Sequence, residues 1–246
     1  GPVCGLGARP LRIVVFGEPA TIRELLMQPS DRFRWDHPIS PFPFAVGETT
    51  MLASDGADHK RRRGAVQEAF SRRRLERWTP MIVEQTDAAI DRLLAAPPGA
   101  PVDLYPWGKR LVIEIVVRAL FGERLTGRTG EIEARFQRIQ DYLSAPLWRQ
   151  APHPLPIGKR HGVRQDREAL DAILDEEIAA TRRSDGQAEH DAHDILAALV
   201  GRGELSDPEI RDQVKTLIGA GFDTIDTEAC ERAGVVPDVL VLSKAI

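Results

Sequence analysis

His59 and Arg63 stand four residues apart inside D-G-A-D-H-K-R-R-R-G-A-V-Q-E-A-F-S-R-R-R-L, residues 55–75. On a helix, residues i and i+4 share a face, so this imidazole and guanidinium can clamp one anionic group between them. Arg61, Arg62 and the Arg72-Arg73-Arg74 run need not join that pair, and a basic run of this kind is ordinarily a solvated helix face. No aromatic residues interleave with these arginines, which argues against a nucleic-acid groove. A second cluster is Ala220-Gly221-Phe222-Asp223-Thr224. Gly219 and Gly221 would each cost a helix about 1 kcal/mol relative to Ala, so their presence needs a reason. Either the pair makes a packing notch, the commoner case, or it lets a flat ligand or a diatomic molecule approach the backbone. Asp223 and Thr224 beside that gap supply an acid and a hydroxyl, the parts of a proton relay. His190-Asp-Ala-His193-Asp194 gathers imidazoles and carboxylates, but no second cluster completes a metal site, and a solvated loop fits it better. No nucleophile elbow, Walker loop or dinucleotide-binding fingerprint occurs.

Helices must position these groups. Leu11 to Phe16 reads as a strand, closed by Gly17 and Pro19, and residues 20–27 read as a short helix. From 28 to 56, six prolines and glycines (Pro29, Pro38, Pro41, Pro43, Gly47, Gly56) predict an irregular stretch. Helical periodicity returns at His59. Trp78, Ile82, Ala89 and Leu93 fall on one face before Pro97-Pro98-Gly99 stops the element. Residues 108–121 are apolar on most sides, as in a buried helix. Further faces are marked by Ile132, Phe136, Ile139 and Leu143, by Leu170, Ile173, Leu174 and Ile178, and by Ile195 to Val200, with a loop at Pro152 to Gly158. The last helix is signposted by Ser206-Asp-Pro-Glu209, a capping box in which Ser206 can accept from the Glu209 N–H. Behind it Ile210, Val214, Leu217 and Ile218 form an i, i+4, i+7, i+8 stripe. That helix should run to Ala233, with Gly234 as its cap and Pro237 blocking continuation.

With 246 residues, 42% of them apolar, the chain can bury a proper core. Thirty-three basic and 37 acidic residues leave a net charge of −4, which points to no nucleic-acid or anionic-membrane partner. Its two cysteines, Cys4 and Cys230, form no C-x-x-C pair and fit a reducing cytoplasm. No apolar run approaches the roughly 20 residues of a membrane span, and no signal peptide is visible. A first residue of Gly1 reads as an incomplete or processed N-terminus.

The order of strand, irregular loop, H-x-x-x-R helix, capped helix and A-G-x-D-T, with L-S-D-P-E-I-R-D-Q-V-K-T-L leading in, resembles bacterial-type cytochromes P450. V-R-A-L-F-G (117–122) and F-S-R-R-R-L (70–75) add to the match, which spans about residues 8–224. The resemblance implies a haem cofactor whose propionates are bound by His59 and Arg63. It also implies that the A-G-F-D-T helix crosses the distal haem face, with Ala220 and Gly221 leaving room for dioxygen. Asp223 and Thr224 would then assist proton delivery. The family's axial thiolate comes from an F-x-x-G-x-x-x-C loop, and an E-x-x-R helix helps to hold that region; neither motif occurs in these 246 residues. Neither cysteine lies in such a setting, and a haem-thiolate enzyme needs that ligand.

From Ala229, A-C-E-R-A-G-V-V-P-D-V-L-V-L-S-K-A-I resembles the class III aminotransferase segment that ends at the lysine binding pyridoxal phosphate, here Lys244. That family's upstream Asp partner has no counterpart in this chain, and an ordinary lysine is the plainer reading.

The expectation is a mainly α, truncated cytochrome P450-like helical fold with a small N-terminal β element, divided into residues 1–224 and a 225–246 junction and tail. Its lineage would be that of a haem-dependent monooxygenase acting on a small apolar substrate, with electrons from a redox partner. It would be inactive alone for want of the axial Cys. The alternative is a non-catalytic helical fragment, or a remnant of a monooxygenase–aminotransferase fusion. With the family's C-terminal half missing, the side of the last helix opposite its stripe should face water. That would leave an apolar patch, loose packing and self-association.

Overall fold

The computed structural model describes the chain except residues 1, 2, 9, 10, 38, 39, 96, 98–102, 147–149, 151–158, 185–193 and 233–246. A few side chains inside elements, chiefly those of residues 222–232, also fall outside the description. The mainly helical fold expected from the sequence is what the structure shows. Contacts divide the chain into two units, Gly1–Trp35 and Asp36–Ile246.

The first unit holds an antiparallel pair, β1 (Val3–Ala8) and β2 (Leu11–Phe16), in a register running from Val3↔Phe16 to Ala8↔Leu11. β2 has the bounds the sequence predicts. β1 escapes notice because Cys4, Gly5, Gly7 and Ala8 give no apolar alternation to read. Helix α1 (Pro19–Leu26) follows, with Pro19 in its first turn where a missing N–H costs nothing.

The second unit begins with a stretch that is less irregular than its prolines imply. It contains α2 (Phe42–Val46), ended by Gly47 at φ 117°, and a 3-10 turn over Met51–Ala53. The periodicity that starts near His59 belongs to two helices, α3 (Gly56–Ala69) and α4 (Arg72–Leu94). The break comes at Ser71, whose ψ of 148° leaves the helical region, and Phe70 beside it packs edge-on against Trp78 at 5.9 Å. Helices α5 (Leu104–Phe121), α6 (Thr129–Leu143), α7 (Lys159–Ser184), α8 (Ile195–Arg202) and α9 (Asp207–Arg232) complete the described elements.

The core lies where α5, α6, α7 and α8 meet α9. Ile113 and Val117 of α5, Ile132 and Phe136 of α6, Leu170 and Leu174 of α7, and Leu196 and Leu199 of α8 are buried with Ile210, Val214 and Ile218 of α9. Asp194 caps α8 by accepting from the Ala197 N–H at 2.8 Å, and Gly203 closes it at φ 66°.

One expectation about α9 is corrected by this packing. Its side opposite the apolar stripe does not face water in the first three turns. Asp212, Gln213, Lys215 and Thr216 are all buried there, each with polar partners. Asp212 Oδ2 accepts from the Thr49 N–H and Oγ, at 2.9 and 2.7 Å. Gln213 accepts from the Met51 N–H at 2.9 Å and donates to the Thr49 carbonyl at 2.7 Å. Thr216 and Thr50 share a hydroxyl bond of 2.8 Å, and Lys215 pairs with Asp171 of α7. After exposed Asp207 and Pro208 and half-buried Arg211, α9 stays buried from Asp212 to Thr216, and Leu217 and residues 219–221 are half-buried.

Candidate functional site

Helix α3 carries His59 and Arg63 in its first two turns, one helical turn apart as their spacing requires. His59 is half-buried and Arg63 exposed. Among the described residues neither side chain makes a hydrogen bond or an ion pair. Two cationic-capable groups on one helix edge, both left without a protein partner, suit an anionic ligand.

Their neighbours in the basic run have a different fate. Arg61 and Arg62 reach across to Glu209 in the first turn of α9. Arg61 Nη1 lies 3.2 Å from Glu209 Oε2, its Nη2 pairs with Oε1, and Arg62 Nε donates to the same Oε1 at 3.1 Å. Arg61 also donates to the Glu204 carbonyl and to Asp58. Glu209 is fixed from its own helix too. Its Oε2 accepts from the Ser206 N–H and the Ser206 hydroxyl, each at 3.0 Å. The capping box therefore closes through the glutamate, and the Ser206 hydroxyl acts as donor to that carboxylate rather than as acceptor. Hydrogen bonding from Arg61 above all, with Ser206 and Arg62 adding to it, pulls the Glu209 carboxyl down to about 2. The basic run is thus not one uniform solvated face: Arg61 and Arg62 tie α3 to α9, while the His59 and Arg63 side chains have no partner among the described residues.

In mid-α9 the two glycines of the A-G-F-D-T region meet different surroundings. A Cβ at Gly221 would lie 2.7 Å from Val116 Cγ2 on α5, whereas one at Gly219 would meet only Phe136 at 3.8 Å. Close approach to α5 is therefore one physical reason for Gly221, the packing notch that the sequence also allowed. Ala220 is half-buried beside it. Asp223 and Thr224 sit on the helical backbone of α9, with their side chains outside the described residues.

Among the described residues, the side chains fit the carboxylates of a haem group and offer no ligand set for its iron. The His59–Arg63 edge suits its carboxylates. For the iron, Cys4 is exposed on β1 in the other unit, and the side chain of Cys230 lies outside the described residues. Among the described residues no cluster of three or more His, Cys, Asp or Glu could hold a metal ion. His190 and His193 lie outside the description, and Asp194 is committed to its cap and to Arg124. Lys244 also lies outside the description. Sequence reasoning marked Glu209 as a cap but not as the partner of Arg61 and Arg62. The one available signal was two arginines in excess of what a clamp needs. No helix among the described residues is long and apolar enough to cross a membrane.

Comparison with known proteins places the chain in a family. The cytochrome P450 family profile matches residues 1–228. Putative cytochrome P450 139 of Mycobacterium bovis is 27% identical over 209 residues, which cover 79% of this chain and 45% of that protein. Pentalenene oxygenase of Streptomyces avermitilis is 31% identical over 180 residues, covering 68% of this chain and 37% of the relative. Among solved structures, retinoic acid-bound cyanobacterial CYP120A1 superposes with a TM-score of 0.80 at 21% identity, over 95% of this chain and 52% of its own. The chain spans about half the length of the curated relatives it matches.

Proposed function

Because the chain belongs to the cytochrome P450 family, we propose that it is the propionate-binding and distal-face portion of a haem-thiolate monooxygenase. The observation that carries this reading is the unpaired His59–Arg63 edge on α3, held beside α9 while the adjacent arginines are consumed by Glu209. His59 and Arg63 would hold the two propionates. Ala220 and Gly221 would border the haem, and Asp223 and Thr224 would hold and relay protons on that side of it. Haem supplies the family's dioxygen chemistry when bound. This chain's residues supply anchoring, a close-packed wall and the proton path. The substrate would be a small apolar molecule, in keeping with the pentalenene and retinoic acid named for two of the proteins above, and a redox partner would supply electrons. A cytoplasmic setting belongs to the same reading.

These 246 residues contain no F-x-x-G-x-x-x-C loop. As a separate polypeptide they should therefore support no oxygenation, since a haem-thiolate centre requires that cysteine ligand. We place the end of the monooxygenase-like portion near residue 224, with a junction and aminotransferase-like tail over 225–246, and give Lys244 no pyridoxal phosphate role. A second reading, a non-catalytic remnant of a monooxygenase–aminotransferase fusion, draws on that tail alone.

Haem titration of the purified chain separates the two. Charge-assisted bonds contribute about 1.5–3 kcal/mol each at best, so His59→Ala with Arg63→Ala should weaken haem binding by about 10-fold or more. Unchanged affinity would favour the remnant, with haem adhering non-specifically. With a reductase system added, substrate-dependent oxygenation that carbon monoxide inhibits, above a haem-only control, would refute the expected inactivity.

A further inference from the structure

The first nine of the 14 residues of α3, 56–64, bury no side chain. Gly56, Ala57, Asp58, Lys60, Arg61, Arg63 and Gly64 are exposed, and His59 and Arg62 half-buried. The buried residues of the helix, Ala65, Val66 and Ala69, all lie in its second half. Apolar packing therefore anchors one end of α3 and leaves the end that carries His59 and Arg63 without a hydrophobic hold. A lone polar helix end of two turns is marginal by itself and frays unless something ties it down.

What ties it down is Glu209. Arg62 and Glu209 each have side chains only 11% exposed, so this pair is well removed from solvent screening. Glu209 sits at the head of α9, whose Ile210, Val214 and Ile218 are fully buried, and Ser206 pins its carboxylate from the same turn. At ~100° per residue, Arg61 projects from the side of α3 almost opposite the His59–Arg63 edge. A grip on Arg61 and Arg62 therefore fixes the rotation of α3 without occupying the edge that faces a ligand.

We infer that Glu209 is a positioning residue for the His59–Arg63 pair, setting the orientation of the anion clamp from the first turn of the helix that carries A-G-F-D-T. The inference rests on the reading of His59 and Arg63 as a haem propionate clamp. It makes α9 responsible for both edges of the site, the clamp through Glu209 and the distal wall through Gly221.

Two measurements on the 246-residue chain test it. The first is amide hydrogen exchange. Glu209→Gln, and separately Arg61→Gln with Arg62→Gln, should raise exchange over residues 56–64 by 10-fold or more while α4 keeps its protection. Ser206→Ala loosens the cap but leaves the arginine grip in place, so it should not raise exchange there. Protection of residues 56–64 that is unchanged in both Gln variants overturns the inference, whether or not haem binds. The second is haem affinity. Glu209→Gln should weaken binding several-fold in the native background and have no further effect once His59 and Arg63 are Ala. An additive loss overturns the inference alone. If His59→Ala with Arg63→Ala leaves haem affinity unchanged, the clamp reading itself fails and the inference falls with it.

Discussion

Replacing glycine by alanine should have opposite effects at different points of this chain. At Gly64, in the exposed part of α3, an added Cβ meets nothing within 4 Å. Helix propensity then dominates, and Gly64→Ala should stabilise by up to about 1 kcal/mol. At Gly221 the same methyl group would meet Val116 Cγ2 at 2.7 Å, so Gly221→Ala should destabilise by about 1–3 kcal/mol. Val116→Ala should recover part of that loss. At Gly47 two penalties combine, a φ of 117° and a Cβ position 2.0 Å from Asp212 Oδ1. Gly47→Ala should therefore cost at least about 2 kcal/mol. Denaturation midpoints of the variants check all of these. At this scale the i, i+4 spacing alone put His59 and Arg63 on one helix face. No local pattern signalled that Gly47 is held against Asp212, because the contact joins residues far apart in the chain.

At the scale of elements, α9 is the organising rod of the second unit, and the segment 47–51 is fastened along it. Asp212 holds the Thr49 N–H and hydroxyl, and Lys215 Nζ, only 1% exposed, stands 3.1 Å from Asp212 Oδ1 while also pairing with Asp171. Removing Asp212 leaves buried Lys215 with Asp171 as its remaining carboxylate and takes the acceptor from the Thr49 N–H and hydroxyl, at a cost of roughly 1–3 kcal/mol. Asp212→Ala should lose about that much stability, and Asp212→Ala with Lys215→Met should lose less than the single change. A single-variant loss under about 1 kcal/mol would show that the pair is not the fastening. The stripe of Ile210, Val214, Leu217 and Ile218 was readable from periodicity, and so was the cap at Ser206. The break between α3 and α4 was not, because the apolar rhythm runs across Ser71 and only its extended backbone separates the helices.

For the molecule as a whole, large apolar side chains stand exposed well away from α9. The unit Gly1–Trp35 leaves Val3, Ile13, Val14, Val15, Leu26, Met27 and Trp35 exposed. Ile13 and Val15 lie on one face of β2 and Val14 on the other, so neither face of the two-stranded sheet is covered within its unit. Among the described residues the sheet has two strands and so two open edges, a template for pairing with another chain. The purified chain should bind a hydrophobic dye and self-associate, and Ile13→Lys with Val15→Lys should reduce both. Sedimentation that shows a dye-silent monomer before any substitution would remove this expectation.

The sequence by itself determined the helical class, the strand Leu11–Phe16, the helix carrying A-G-F-D-T and the positions of His59 and Arg63. These follow from local rules: periodicity, caps and i, i+4 spacing are read within a few residues of one another. Tertiary structure decided which of five neighbouring basic residues remain available. Arg61 finds Glu209 148 positions away, and Thr49 finds Asp212 163 positions away. No local pattern encodes such pairings, because chain closure over that distance is driven by burial of the whole core and not by the charges that meet at its edge.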